Sequence, residues 1–272
     1  MDLGCSSFSW TTKDGRHLLG RTYDQFGDLA ANRVIGVPPG IPSSPGLRPE
    51  GGGAPGRYGY TGMAVLGFGE PILVDEPIEG KPLPAHYILS DKTGEAVILE
   101  PDEGGLSVHR DTVGVLANSP DYLWHRTNLR NFVGVTNLPK APRTVAGHEI
   151  REFGERLGGG SGLPGDYSSP SRFVRLAFLK EFAVRGRDEV DGVSRMFRAF
   201  AAVDIPEGLA KADPDYDVYE QTLCTSVMCA ESGVYYFAPA WDRRISAVRL
   251  PAQGQEMRYF DLGDRQDIDY RN

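Results

Sequence analysis

Cys5-Ser6-Ser7-Phe8-Ser9-Trp10, the turn pair Asp14-Gly15, and Gly20-Arg21-Thr22-Tyr23-Asp24 are the stretch on which the fold turns. Phe8 and Trp10 alternate with polar neighbours, Asp-Gly favours a tight hairpin turn, and His17-Leu18-Leu19-Gly20-Arg21 resumes extended chain. The stretch therefore predicts two antiparallel strands with a cysteine at the open end. A thiol is a strong nucleophile near neutral pH once a base takes its proton. If Cys5 becomes the first residue, its own α-amine is that base, with a pKa of about 7.7–8 that suits general-base work. Arg21 would favour the thiolate, and Asp24 would orient the ammonium or tune its pKa. A buried structural cysteine beside a surface Arg–Asp pair fits the same residues.

Outward from this hairpin, residues 38–56 hold six Pro and six Gly in 19 positions, which excludes a helix or a central strand and predicts a loop. Residues 58–75 read as short strands, and Tyr87–Ser90 with Ala96–Glu100 as a second hairpin. Strand-like segments follow at 106–110 and 113–117, then a short helix over 121–132 and a Gly-rich loop over 156–167. Helical periodicity appears from a Ser171 cap to Val184 and again over Val190–Val203, and strands return over 218–250. Strands, then helices, then strands predict an α+β fold with segregated layers.

Composition narrows the function. The 272 residues carry 29 Lys and Arg against 37 Asp and Glu, a net charge of −8, which argues against a nucleic-acid partner. No apolar run is long enough to span a bilayer, and the acidic start lacks the pattern of a signal peptide, so a cytoplasmic protein is expected. Cys5, Cys224 and Cys229 are too few for a disulfide framework. His17, His86, His109, His125 and His148 share no metal-ligand spacing, and Gly51-Gly52-Gly53 lacks the Lys-Ser/Thr of a phosphate loop.

The opening stretch resembles that of the choloylglycine hydrolase family, N-terminal-nucleophile amidases that include bile salt hydrolases and penicillin V acylases. The likeness continues through Leu116-Ala117-Asn118-Ser119-Pro120-Asp121-Tyr122-Leu123-Trp124-His125, with Thr127-Asn128-Leu129-Arg130 behind it. It resumes at Gly162-Leu163-Pro164-Gly165-Asp166-Tyr167 through Arg172-Phe173, then at Tyr235-Tyr236-Phe237 and Arg244–Val248. The resemblance implies an αββα sandwich of two stacked antiparallel sheets, one domain over 5–272, and a propeptide over 1–4. It implies Cys5 as nucleophile, Arg21 and Asp24 flanking it, Asn118 as oxyanion donor, and Arg172 completing the polar cluster. No cofactor and no metal would be needed, and a homotetramer is implied.

The implied reaction is hydrolysis of a small-molecule acyl amide. The Gly4-Cys5-Ser6-Ser7 start and the Asp264-Arg265-Gln266-Asp267-Ile268 tail lean toward penicillin V-type amides. Conjugated bile salts and N-acyl homoserine lactones are the alternative substrates, and a non-catalytic binding subunit is the alternative of another class. Two departures from the family stand out. Ala117 occupies a position where the family has Thr. Asp75 passes directly to Glu76, so the fold is expected to be abridged by several dozen residues that carry a second oxyanion contact and part of the acyl pocket.

Overall fold

The computed structural model describes residues 5–26, 33–40, 60–64, 86–102, 104–152, 158–211, 214–262 and 266. Its first strands are β1 (Ser7–Thr11), β2 (His17–Phe26), β3 (Arg33–Val37), β4 (Tyr60–Ala64), β5 (Tyr87–Ser90), β6 (Ala96–Asp102), β7 (Gly105–His109) and β8 (Val115–Leu116). Helix α1 (Tyr122–Asn128) follows with a 3-10 turn over Leu129–Phe132, then β9 (Arg143–Val145) and β10 (His148–Ile150). Helices α2 (Ser169–Phe182) and α3 (Glu189–Phe200) precede β11 (Ala210–Lys211), β12 (Tyr219–Cys229), β13 (Val234–Pro239), β14 (Ser246–Arg249) and β15 (Arg258–Asp261).

The expected first hairpin forms. Ser7 pairs with Arg21 and Thr11 with His17, and Gly15 closes the turn with a φ of 85° that disfavours any side chain. This hairpin lies inside a seven-stranded sheet of order β14-β13-β12-β2-β1-β8, with β11 added on β12. Strand β12 runs antiparallel to β2 from Glu220↔Phe26 to Cys229↔Leu18, with a bulge between Thr222 and Cys224. Two three-stranded sheets, β15-β3-β4 and β5-β6-β7, and the β9–β10 ribbon complete the strand pairing among the described residues.

Alternation along the strands divides the core. Phe8, Leu18 and Val227 pack with Phe173 and Leu176 of α2 and Met196 and Phe200 of α3. Tyr23, Leu223, Cys224, Tyr235 and Phe237 pack instead with Val34 of the second sheet. The seven-stranded sheet is thus covered by helices on one face and by strands on the other, the layered α+β sandwich expected. Helix α3 sits flush on the hairpin because Gly20 and Gly192 lack side chains. A Cβ on Gly20 would meet the Phe200 ring at 2.5 Å, and one on Gly192 would meet Thr12 Cγ2 at 2.5 Å.

One boundary differs from the sequence reading. Helix α2 starts at Ser169 with Ser168 as its N-cap residue, not Ser171. Pro170 fits the first turn because its missing N–H would be unpartnered there anyway. The hydroxyls of Ser168 and Ser171 both donate to Asp166, at 2.5 and 2.7 Å, so the loop carboxylate holds the helix start. Strands β3, β9, β10, β11 and β15 carried no strong alternation and were not foreseen. Of the expected loop over 38–56, residues 41–56 lie outside the described residues, as does the Asp75–Glu76 junction.

Candidate active site

The hairpin's open end carries the first part of the site. Cys5 precedes β1, while Arg21 and Asp24 come from β2. Arg21 Nη2 donates to Cys5 Sγ at 2.7 Å. Cys5 is partly buried, Asp24 is 0% exposed and Arg172 is 3% exposed, so charge here is only weakly screened. Burial pushes the Cys5 thiol above its ordinary pKa. The Arg21 charge opposes this, the Asp24 carboxylate adds to it, and the Asp24 main-chain N–H and the Arg21 hydrogen bond again favour thiolate.

Asn118 follows β8 and brings its amide to the same place. Its Oδ1 accepts from the Cys5 main-chain nitrogen at 3.0 Å and from Arg172 Nη2 at 2.9 Å. Two donors on one oxygen fix which end of the amide is which, leaving Nδ2 as the donor end.

Arg172 ties these elements together from the first turn of α2. Its Nε donates to the Tyr167 carbonyl at 2.9 Å. Its Nη1 lies 3.2 Å from the Cys5 carbonyl oxygen and 3.2 Å from Asp24 Oδ2, and it also bonds the Ser6 hydroxyl. All five residues singled out in the sequence therefore converge, although Arg172 is 167 positions from Cys5.

Three polar residues of this cluster were not singled out. Thr22 Oγ1 accepts from the Ser6 N–H at 2.9 Å, so its own hydrogen is free to go to Asp24 Oδ2 at 3.0 Å. Thr222 Oγ1 accepts from the Ile205 N–H at 2.9 Å and donates to Asp24 Oδ1 at 2.6 Å. The hydroxyl of Ser6 is the third, and it meets Arg172. Asp24 thus accepts from two hydroxyls and a guanidinium, the pattern of an ionised carboxylate. Burial pushes the Asp24 pKa up, opposed first by Arg172, then by Thr222 and Thr22. Thr22 stood inside the quoted Gly20–Asp24 run. Thr222 had no sequence signal, because only the β2–β12 register brings it opposite Asp24.

The inner charges are two guanidiniums and one carboxylate. That imbalance suits a site where negative charge develops on sulfur and on a carbonyl oxygen. Among the described residues, no group of three or more His, Cys, Asp or Glu side chains is placed to hold a metal ion. No helix among them is long and apolar enough to cross a membrane.

Residues 70–258 match the family model described as linear amide C–N hydrolases, choloylglycine hydrolase family. Asn118 and Arg172 fall inside that match; Cys5, Arg21 and Asp24 precede it. A bile salt hydrolase/transferase of Bifidobacterium longum is 34% identical over 151 residues, 56% of this chain and 46% of the relative. A penicillin V acylase of Pectobacterium atrosepticum is 23% identical over 218 residues, 73% of this chain and 52% of the relative. The chain spans about half the length of the curated relatives it matches. The fold superposes on a conjugated bile acid hydrolase from Clostridium perfringens with a TM-score of 0.81 at 22% identity, covering 98% of this chain and 100% of that one. A penicillin V acylase from Agrobacterium tumefaciens gives 0.70 at 17% identity, covering 95% and 92%.

Proposed function

We propose a function from one premise: the chain belongs to the choloylglycine hydrolase family of linear amide C–N hydrolases. The reaction is hydrolysis of a small-molecule acyl amide by a single domain over 5–272, after removal of residues 1–4 makes Cys5 N-terminal. The observation that carries this reading is the placement of Cys5. Its sulfur meets Arg21 at 2.7 Å, and its nitrogen meets Asn118 Oδ1 at 3.0 Å.

While the Gly4–Cys5 bond is intact, that nitrogen is an amide and has no basic lone pair. Once freed, it becomes an amine that keeps one N–H on Asn118 Oδ1 and offers its lone pair to the thiol. A thiol held neutral by burial needs such a base at the moment of attack. The amine takes the proton, sulfur adds to the substrate carbonyl, and the oxygen gains negative charge facing Asn118 Nδ2. The ammonium returns the proton to the departing nitrogen, leaving an S-acyl enzyme. Water, deprotonated by the same amine, then releases the acid and restores the thiol. Arg172 and Asp24 hold this frame; they do not exchange protons in it.

Conjugated bile acids are the favoured substrates, because the relatives at 34% identity are named for bile salt hydrolysis. Penicillin V is the second reading, favoured by the Gly4–Ser7 start, the 264–268 tail and the 23% relative. The resemblance also supports a homotetramer that uses no metal or organic cofactor, and three cysteines without a disulfide framework suit a reducing, cytoplasmic compartment.

The test combines intact-mass analysis with turnover of glycocholate, penicillin V and an N-acyl homoserine lactone. Loss of residues 1–4, an S-acyl adduct on Cys5 and release of glycine support the reading. Full activity in a chain that retains Met1 would sink the amine as base. No turnover and no adduct on any of the three amides would favour a non-catalytic binding subunit.

A further inference from the structure

His125 is 1% exposed and stacks on Phe173 of α2, with ring centroids 4.6 Å apart and planes 10° apart. Its Nε2 lies 2.7 Å from the main-chain oxygen of Asn118. A carbonyl oxygen only accepts, so Nε2 carries the hydrogen. Among the described residues, Nδ1 is buried without a hydrogen-bond partner. A hydrogen on Nδ1 would be a buried donor with no acceptor, which is unfavourable. The site is therefore built for the neutral Nε2–H tautomer.

Ser169, the first residue of α2, donates its hydroxyl to the same Asn118 carbonyl at 2.7 Å. Two helices thus grip the Asn118 main chain, while Cys5 and Arg172 grip its side-chain oxygen. An amide whose main chain and side-chain oxygen are both pinned presents Nδ2 in one direction.

We propose that His125 is a positioning residue: its Nε2–H, aided by the Ser169 hydroxyl, fixes Asn118 so that the side-chain amide faces Cys5. This rests on the reading of Cys5 and Asn118 as the reacting centre. His125 acts as a neutral donor throughout. Burial pushes its pKa below the ordinary imidazole value. The Asn118 carbonyl, Glu100 and Asp121 pull the other way, and His86 adds to the depression.

Three variants of the full chain test the proposal. His125→Phe keeps a ring against Phe173 and removes the donor. His125→Gln replaces Nε2–H by an amide N–H near the same place. Ser169→Ala removes the second donor. His125→Phe should lower kcat about tenfold or more with KM within about twofold, and His125→Gln should return kcat to within about threefold of wild type. Unchanged kcat in His125→Phe, or equal loss in His125→Gln, overturns the proposal. If His125→Phe does not fold, Ser169→Ala replaces it: a lower kcat at constant KM supports the proposal and an unchanged kcat overturns it.

Nuclear magnetic resonance of 15N-histidine protein adds a readout independent of turnover. His125 should show the neutral Nε2–H tautomer and titrate below the ordinary imidazole value, whereas a neutral Nδ1–H tautomer overturns the proposal. If the wild type cleaves no amide, the functional reading fails and this inference is judged separately. The Asn118 side-chain resonances should then move in His125→Phe and Ser169→Ala but not in His125→Gln; no movement in the first two overturns it.

Discussion

Cys5 and Cys229 lie beside opposite ends of β2, and the sign of the charge beside each thiol differs. At the Asp24↔Thr222 end, Cys5 faces the Arg21 guanidinium at 2.7 Å. At the Leu18↔Cys229 end, the Cys229 thiol donates to Glu231 Oε2 at 3.4 Å, and Glu189 also stands near. Burial pushes both thiols up, so the direction of the pKa does not separate them. What separates them is the fate of a thiolate once formed. Arg21 would stabilise it at Cys5, whereas Glu189 and Glu231 would repel it at Cys229. Cys224, buried among apolar side chains and pushed up to about 12, belongs with Cys229 as an inert thiol.

The largest effect should come from breaking this pair directly. Cys5→Ser should fold and lose amidase turnover by about three orders of magnitude or more, because a hydroxyl forms far less oxyanion near neutral pH than a thiol. Cys229→Ser, measured on the same substrate, should leave turnover within about twofold. If both variants kept wild-type rates, the contrast between the two ends would have no catalytic meaning.

Asn118 sharpens the same contrast: its amide oxygen accepts from the Cys5 nitrogen, while Glu231, Glu189 and Ser232 stand beside Cys229. Asn118→Ala removes the Nδ2 donor and should lower kcat by about 10²–10³. Asn118→Asp keeps an oxygen for Cys5 and Arg172 but puts a carboxylate oxygen where Nδ2 stood. It should be slower than Ala, because that oxygen repels the developing charge. Both losses should fall on kcat more than on KM. Steady-state kinetics at one pH, with folding checked by circular dichroism, decides it; an Asn118→Asp enzyme as fast as wild type would leave Asn118 a structural residue.

The two ends also differ in how much the sequence disclosed. Alternation and the Asp14-Gly15 turn revealed the β1–β2 hairpin, and the helical periods revealed α2 and α3 within a few residues. Cys5, Arg21 and Asp24 were legible because they share that hairpin. Asn118 and Arg172 were legible only through resemblance, since nothing local says that a post-strand amide and a helix-start guanidinium will meet a cysteine more than a hundred residues away. Thr222 was invisible because its role depends on the β2–β12 register and the bulge after it. His125 carries no local signal of its role, because its Nε2 contact with the Asn118 carbonyl depends on how α1 folds back onto the end of β8. Local chemistry is written locally, but these contacts arise from long-range pairing.

Thr222→Val tests the least legible contact. It keeps the shape but strips Asp24 Oδ1 of a donor and the Ile205 N–H of its acceptor. Both groups are in a buried setting, with Asp24 0% exposed and Ile205 3% exposed. Chemical unfolding should show a loss of about 1–3 kcal/mol. Arg172 also contacts Asp24, so kcat should fall with stability. A variant as stable as wild type would show that water or a neighbour replaces the hydroxyl.

The smallest expected effect lies at the far end, where the carboxylate is satisfied and no chemistry depends on it. Glu231 receives the His17 main-chain N–H at 2.9 Å and lies 2.7 Å from His17 Nδ1. Burial pushes its pKa up, but these His17 contacts, with Cys229 adding, win and hold it at about 2. A carboxylate whose folded pKa is depressed contributes stability that is fully present above its ordinary value of about 4.3 and is lost as pH falls through the folded value. Glu231→Gln should therefore cost about 1–2 kcal/mol at neutral pH, since the pair is about one-fifth exposed and partly screened. The gap between wild type and variant should stay constant above about pH 5 and close between about pH 4.3 and 2. Turnover at neutral pH should not change, because Glu231 bonds His17 at the start of β2, whereas Cys5 lies by Arg21 and Asp24 toward the other end. Urea unfolding across that pH range checks the first statement and initial rates the second. A gap that persisted undiminished at pH 2 would mean that Glu231 stabilises the hairpin turn by shape and neutral hydrogen bonding, and that its charge is incidental.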